Sequence, residues 1–269
     1  MKVAHFTGPK KLEIFDLPAP KLHRPDAVLL RIDRVGVCGS DVHYYTDGRI
    51  GDQVLAYPAT LGHECAGTVL EVGAEVDHVR PGQRVAVDPA LVCGTCDQCR
   101  QGRSNTCRNL QFMGTPGEAL GAVAEYRVVP AGNCFPIPDK MTLDEAALVE
   151  PLSVSLYAVR LAKISPASRI VIIGLGPIGL GALLCAKATT SCTIYATDLL
   201  DERLELARQC GADWAGSARN NAATEAISKE QPGGVDLVFE CAGDPLCIDD
   251  AQQMLTELEQ LFARKFDEA

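Results

Sequence analysis

The chain has 269 residues, enough for two ordinary domains at roughly 150 residues each. Lys and Arg total 25 against 35 Asp and Glu, and the net charge of −10 argues against nucleic acid or an anionic membrane surface as the main partner and for a small molecule. A composition 47% hydrophobic and 22% charged excludes whole-chain disorder, and with 5% aromatic residues the core must be aliphatic.

Residues 1–20 alternate charged with apolar residues and build no signal-peptide core. The 12 cysteines are too dilute for a disulfide scaffold, so the expected location is the reducing cytoplasm. Residues 27–35, 66–72, 84–87 and 124–129 read as short β-runs between turn residues, which predicts an all-β, glycine-rich first half. From residue 142 the period changes. Residues 143–162 space their apolar side chains as a helix would, with a break expected near Pro151. Beyond it a strand at 169–174, a helix at 180–188, a strand at 193–198 and a glycine-capped helix at 201–211 follow in turn. The cycle repeats weakly at 214–217 and 222–230 and clearly at 235–241, and such alternation predicts a parallel sheet. Four strands are visible, where a six-stranded sheet would need two more. After Pro245 the chain reads as one amphipathic helix with Met254, Leu255, Leu258, Leu261, Phe262 and Phe266 at helical spacing. The longest uncharged stretch, residues 170–186, is interrupted by Pro177 and four glycines and falls short of a membrane span.

Cys93, Cys96, Cys99 and Cys107 are spaced C-x2-C-x2-C-x7-C in a polar loop. Four thiolates so spaced can close a tetrahedron on one ion and leave no position for water, as a structural zinc site does. The competing readings are scattered reduced thiols and an iron-sulfur cluster. The bacterial ferredoxin run closes with a shorter gap and a following Pro, whereas Arg108 follows here. Cys65, Cys134, Cys185, Cys192, Cys210, Cys241 and Cys247 mostly lie in apolar runs and read as small core residues.

Residues 36–41 read G-V-C-G-S-D and residues 62–67 read G-H-E-C-A-G, offering Cys38, His63 and Glu64 at the ends or turns of β-runs. Mixed donors, fewer than four, are what an open catalytic zinc site requires, because a substrate oxygen must take one position. On spacing alone, a surface His–Glu ion pair competes evenly with that reading.

Residues 169–180 read R-I-V-I-I-G-L-G-P-I-G-L, a β-branched run leading into G-x-G-x-x-G and a helix. Gly174 permits the tight turn, Gly176 lets the backbone approach a pyrophosphate, and Gly179 allows close helix–strand packing. Pro177 and Ile178 lie in the same loop, where the helix N-terminus faces the anion. Asp198 lies about twenty residues on, at the end of the second strand, as the dinucleotide fingerprint requires. Its carboxylate can accept bonds from the adenosine ribose hydroxyls and would repel a 2′-phosphate, which favours NAD over NADP. Helix capping is its alternative role, and Arg203, within reach of the same ribose, could soften the discrimination.

These boxes in this order resemble the zinc-dependent medium-chain dehydrogenase family. C-G-S-D-V-H-Y-Y, D-G-R-I-G-D, L-G-H-E-C-A-G-T-V and A-L-V-E-P-L-S-V most resemble its sorbitol and xylitol dehydrogenase branch. The resemblance implies an α/β fold: a β-rich, GroES-like catalytic domain over residues 1–150, then a doubly wound Rossmann domain over residues 151–255, here incomplete. Residues 256–269 remain an unassigned amphipathic helix. It also implies substrate in the cleft between the domains.

Carried over residue by residue, Cys38 and His63 match the catalytic zinc ligands, and Glu64 matches the third ligand of the polyol branch. Glu150 matches a position where many alcohol dehydrogenases place a second cysteine; it could bind zinc, exchange with Glu64 or hold a water, or else pair with an arginine. Ser40 matches the hydroxyl that begins proton removal from the substrate alcohol, with a turn residue as its alternative. His43 could extend a proton relay or be a structural histidine. Tyr44 and Phe112 match substrate-pocket positions. The implied cofactors are two zinc ions, one catalytic and one structural, and NAD. The implied reaction passes hydride from a secondary alcohol of a polyol to NAD, giving a ketose.

The family's further strands are not visible past residue 255, and this motivates a second reading, a zinc- and nucleotide-binding remnant without turnover. A third keeps the enzyme and changes the substrate to an amino acid, as in threonine dehydrogenases. The apolar face of the last helix is expected to cover the open sheet edge or to pair with another subunit in a homo-oligomer.

Overall fold

A computed structural model describes residues 1–219 and 222–255, and the chain divides into two compact units at Glu150 and Pro151. The expected helix over 256–269 lies outside the described residues, as does any cover it provides. No described helix is long and apolar enough to cross a membrane.

The first unit runs β1 (Lys2–Gly8), β2 (Lys11–Asp16), β3 (Ala27–Val35), α1 (Gly39–Asp47), β4 (Arg49–Ile50), β5 (Gln53–Val54), β6 (Cys65–Val72) and β7 (Arg84–Val87). Then come β8 (Ala90–Leu91), α2 (Asp97–Arg100), β9 (Gln111–Phe112), β10 (Tyr126–Pro130), β11 (Cys134–Pro136) and α3 (Leu143–Ala147). Its main sheet is antiparallel in the order β10-β3-β6-β7-β11, and β1-β2, β4-β5 and β8-β9 are separate hairpins or pairs. Val28, Leu30, Val69, Val85 and Val129 alternate inward along these strands and close an aliphatic core with Met113 and Ala122. The β1-β2 hairpin and α1 carry no place in the sequence reading. Every residue of β2 is exposed, and α1 buries only Asp41 and Tyr44, so neither has a clear apolar period to read.

Helix α4 (Val149–Ala162) follows α3 after a break at Leu148. The break therefore precedes the expected position, because Pro151 sits in the first turn of α4, where its missing N–H has no intrahelical partner to lose. The second unit continues with β12 (Arg169–Ile173), α5 (Pro177–Thr189), β13 (Thr193–Asp198), α6 (Asp201–Gln209), β14 (Trp214–Ser217), α7 (Ala222–Glu230), β15 (Leu237–Glu240) and α8 (Pro245–Met254). All pairings in its sheet, ordered β14-β13-β12-β15, are parallel. Ile170 and Ile172 pack with Leu183, Ala186, Leu204 and Ala207 of α5 and α6, while Val171 and Ile173 pack with Ile227 and Met254 of α7 and α8. Burial on both faces is why β12 reads as a continuous apolar run. The result is a Rossmann-type sheet whose strand ends carry the glycine loop.

Candidate functional site

The loop around α2 gathers Cys93, Cys96, Cys99 and Cys107 with all four sulfurs within 4.8 Å of one another. Three separations are measured: Cys96–Cys99 at 3.5 Å, Cys93–Cys107 at 3.5 Å and Cys96–Cys107 at 4.0 Å. A Zn–S bond of about 2.3 Å sets tetrahedral sulfur–sulfur edges of about 3.8 Å, so the donor set fits one zinc ion. Backbone amides of Thr95 and Cys96 pull the Cys93 thiol down to about 5, while desolvation and the neighbouring sulfurs push Cys99 up to about 12. Four crowded sulfurs of this kind require a shared cation before all can be thiolates. Arg108 and Asp97 brace the loop with paired bonds of 2.5 and 2.8 Å.

A second cluster forms where α1 meets the turn before β6. Cys38 Sγ, a His63 ring nitrogen and a Glu64 carboxylate oxygen lie within 4.8 Å of one another, with His63 9% and Glu64 7% exposed. Gly36 makes room, since a Cβ there would collide with the Glu64 carboxylate, and Gly62 adopts a φ of 91° that favours glycine. Burial raises the Glu64 carboxyl above its ordinary range. It raises Glu150 likewise, with His63 acting against the shift and Glu64 and Asp88 adding to it, so Glu150 stands electrostatically beside the pair but outside the donor triangle. Burial works against the His63 imidazolium, but Cys38, Asp41 and Glu150 outweigh it and hold the ring above its usual value. A buried thiol, imidazole and carboxylate, with a further acid alongside, form a donor set that suits a divalent cation and leaves a coordination position open.

Asp41, which the sequence reading left inside a motif, organises this cluster. It is buried, and its Oδ2 accepts from the Cys38 amide at 3.0 Å while its Oδ1 accepts from the Gly62 amide at 3.2 Å and lies 4.0 Å from His63 Nδ1. One carboxylate thereby fixes both ligand-bearing segments. The signal was available: an acid three residues after the N-cap Cys38 has capping-box spacing.

The Ser40 hydroxyl and amide, in the first turn of α1, both lie against the Cys38 sulfur. The Phe112 ring meets that of His63 edge-on at 5.4 Å. Tyr44 is packed among Phe6, Leu55 and Leu61, and its hydroxyl donates to Gln53. His43 is not gathered into the cluster: its side chain is 66% exposed and sits 3.6 Å from Asp47.

In the second unit, Gly174 turns at φ 85° and a Cβ on it would meet the Ala242 backbone, while a Cβ on Gly179 would collide with the Gly174 carbonyl. Gly176, the N-cap of α5, faces open space, as a backbone approached by an anion must. Pro177 and Ile178 form the first turn of α5. A cavity of ≈660 Å³ opens here, lined by Gly174, Gly176, Asp198 and Arg203 among others. Asp198 is 6% exposed; its Oδ2 accepts from the Leu175 amide at 2.7 Å and its Oδ1 from the Leu200 amide at 2.9 Å. Its carboxylate thus braces the glycine loop as well as facing the cavity. The loop, the α5 N-terminus and this acid suit a dinucleotide.

Residues 24–139 match the alcohol dehydrogenase GroES-like domain, and residues 177–262 match the zinc-binding dehydrogenase family. Over 252 residues the chain is 43% identical to a sorbitol dehydrogenase of Bacillus subtilis (strain 168), covering 93% of this chain and 71% of that protein. The chain belongs to the zinc-binding medium-chain alcohol dehydrogenase family. Within the family it is sorbitol dehydrogenase-like, and an L-idonate 5-dehydrogenase of Vitis vinifera is 40% identical over 245 residues. That alignment covers 89% of this chain and 66% of the relative, so the chain spans about two thirds to seven tenths of the length of these two relatives. A protein of Sinorhizobium meliloti 1021, assigned as a zinc-binding dehydrogenase and solved bound to NADP, has a TM-score of 0.85 at 32% identity. The match covers 94% of this chain and 73% of that one. The GroES-like and Rossmann-like units expected from sequence are the units described above.

Proposed function

We propose that this dehydrogenase oxidises a secondary alcohol of a sorbitol- or xylitol-like polyol to a ketose and passes the hydride to NAD. The observation that carries the reading is the Cys38–His63–Glu64 donor triangle, in a chain that also holds a G-x-G-x-x-G loop at a parallel strand end. The sorbitol and L-idonate specificities of the two relatives support a polyol-type substrate. When bound, zinc supplies a Lewis acid to the substrate hydroxyl, and NAD supplies the hydride acceptor.

The chain's own residues do the rest. Cys38, His63 and Glu64 hold the metal, and Asp41 fixes the segments that carry them. Ser40, beside the Cys38 sulfur, takes the proton from the substrate hydroxyl and passes it outward. Glu150 provides a second carboxylate next to Glu64 and His63. Phe112 shields one side of His63 from water, and Tyr44 anchors α1 through its packing. Cys93, Cys96, Cys99 and Cys107 hold a closed metal that fixes their loop. Gly174, Gly176 and Gly179 seat the pyrophosphate on the N-terminus of α5, and Asp198 orients the adenosine ribose.

The test is NADH formation by zinc-loaded protein with xylitol, sorbitol, galactitol and threonine, with and without a zinc chelator. Turnover on a polyol that the chelator abolishes is the expected result. Turnover on threonine alone would shift the substrate to an amino acid. The second reading, metal and nucleotide bound without catalysis, is favoured by the edge position of β15 among the described strands, and it predicts bound zinc with no NADH from any substrate.

A further inference from the structure

Residues 112–123 form a strap across the turn that carries His63. Its far end is tied by backbone bonds: the amides of Gly121, Ala122 and Val123 donate to the carbonyls of Thr60, Gly62 and Leu61 at 2.8, 2.8 and 3.1 Å. The buried Arg127 guanidinium adds a bond to the Gly121 carbonyl. In the middle, Gly114 turns at φ 79° so close to Gly62 that a Cβ on it would meet the Gly62 amide nitrogen and carbonyl oxygen at 3.0 Å. At the near end the Phe112 ring rests edge-on against the His63 ring at 5.4 Å.

The near end has the least packing beneath it. A cavity of ≈210 Å³ is lined by residues 114–120 together with Leu55, Pro58 and Leu61, so hydrogen bonds rather than buried contacts hold the turn in shape. Its backbone supplies three, Gly114 to Ala119 at 2.9 Å, Thr115 to Phe112 at 3.2 Å and Glu118 to Thr115 at 3.2 Å. Glu118 supplies the strongest: its Oε2 accepts from the Phe112 amide at 2.6 Å, six residues back along the chain. Among the described residues this is the one side-chain hydrogen bond made by residues 112–120. The carboxylate also faces α1, because after burial its charge is the largest cause raising the Tyr44 phenol above its usual value.

We propose that Glu118 is a positioning residue for the catalytic metal. By holding the Phe112 amide it fixes the ring that packs on His63, and through that ring it fixes the orientation in which the imidazole meets the ion. The inference rests on the reading of Cys38, His63 and Glu64 as metal donors. Asp41 secures the segments that carry the ligands, whereas Glu118 secures the ring of one of them. No sequence motif marks the role, since Glu118 is an exposed acid in a polar turn and acts only through the bond that closes it.

The test is the rate of zinc release from the loaded full chain to a chelating dye. The phase that is missing from His63→Ala reports the Cys38 cluster, and the remaining phase reports the four-cysteine loop. Glu118→Ala should speed release from the Cys38 cluster by about tenfold and leave the four-cysteine phase within about twofold of wild type. Glu118→Gln, whose amide oxygen can still accept from Phe112, should restore release to within about twofold of wild type. Phe112→Leu should speed release as Glu118→Ala does, and combining the two should add less than about twofold, because both act through the same ring. Unchanged release in Glu118→Ala would overturn the proposal, as would equal acceleration of both phases, no rescue by glutamine, or fully multiplicative effects in the double variant. A wild-type chain with a single zinc phase that His63→Ala leaves intact would instead overturn the metal reading of the Cys38 cluster, and the proposal with it.

Discussion

A methyl group at Gly179 would collide with the Gly174 carbonyl, so Gly179→Ala must push α5 away from the end of β12. The expected cost is about 1–3 kcal/mol of stability together with weaker nucleotide binding, read by urea unfolding and ADP titration. Asp41→Ala removes the acceptor for the buried Gly62 amide and the part-buried Cys38 amide at once, and it should weaken zinc retention at the Cys38 cluster while leaving the four-cysteine loop loaded. Competition with a graded chelator measures both sites. Acid sensitivity should come from paired aspartates of the second unit. Arg169 is the main cause holding Asp236 below its ordinary value, and amides from Leu175 and Leu200 hold Asp198 down despite its burial. Both carboxyls bind protons less readily when folded than the value of about 4 expected unfolded. Their stabilisation is therefore complete at neutral pH and is lost as pH falls below about 4 and through the folded values. The urea midpoint should drop over that range, and Asp236→Asn should flatten part of the drop. At this scale the sequence was most legible where residue types with restricted chemistry stood at fixed spacing, as in Cys93 to Cys107 and Gly174 to Gly179. Asp41 escaped because a common charged residue acts there through tertiary placement, by bridging two segments.

The elements divide in the same way. Strand β12 announces itself because both of its faces are covered, whereas β2 is wholly exposed and α1 turns only Asp41 and Tyr44 inward. An element held by hairpin pairing or by a capping acid has little hydrophobic period for a sequence reading to find. Pro151 shows that a breaker residue misleads about a boundary when it occupies a helix's first turn. Helix α3 carries a testable cap: Thr142 Oγ1 accepts from the Glu145 amide at 3.1 Å, and the Glu145 carboxylate accepts from the Thr142 amide at 2.7 Å. The helix it starts packs Ala146 and Ala147 against Ala66 and Ala86 of β6 and β7. Thr142→Ala should cost about 1 kcal/mol in urea unfolding, and no measurable change would show that the α3 start is held by packing alone.

At the scale of the whole molecule, the two units carry different parts of the chemistry, with both candidate metal sites in the first and the nucleotide loop in the second. The order of motifs along the chain made that division legible, since short β-runs and metal-type residues end before the strand–helix alternation begins. Substrate identity was less legible, because it depends on which side chains face a bound polyol. Tyr44 shows the difficulty: a position read as pocket-lining is packed in a small core cluster. A closed four-thiolate site and an open three-donor site should also differ in affinity, the closed one filling first. The most direct test of the account is the rate of polyol-dependent NADH formation as zinc is titrated into metal-free protein. The account predicts almost no turnover while the first equivalent binds, turnover rising in proportion to the second, and none in His63→Ala at any loading. Full turnover at one zinc per chain, or in His63→Ala, would contradict it.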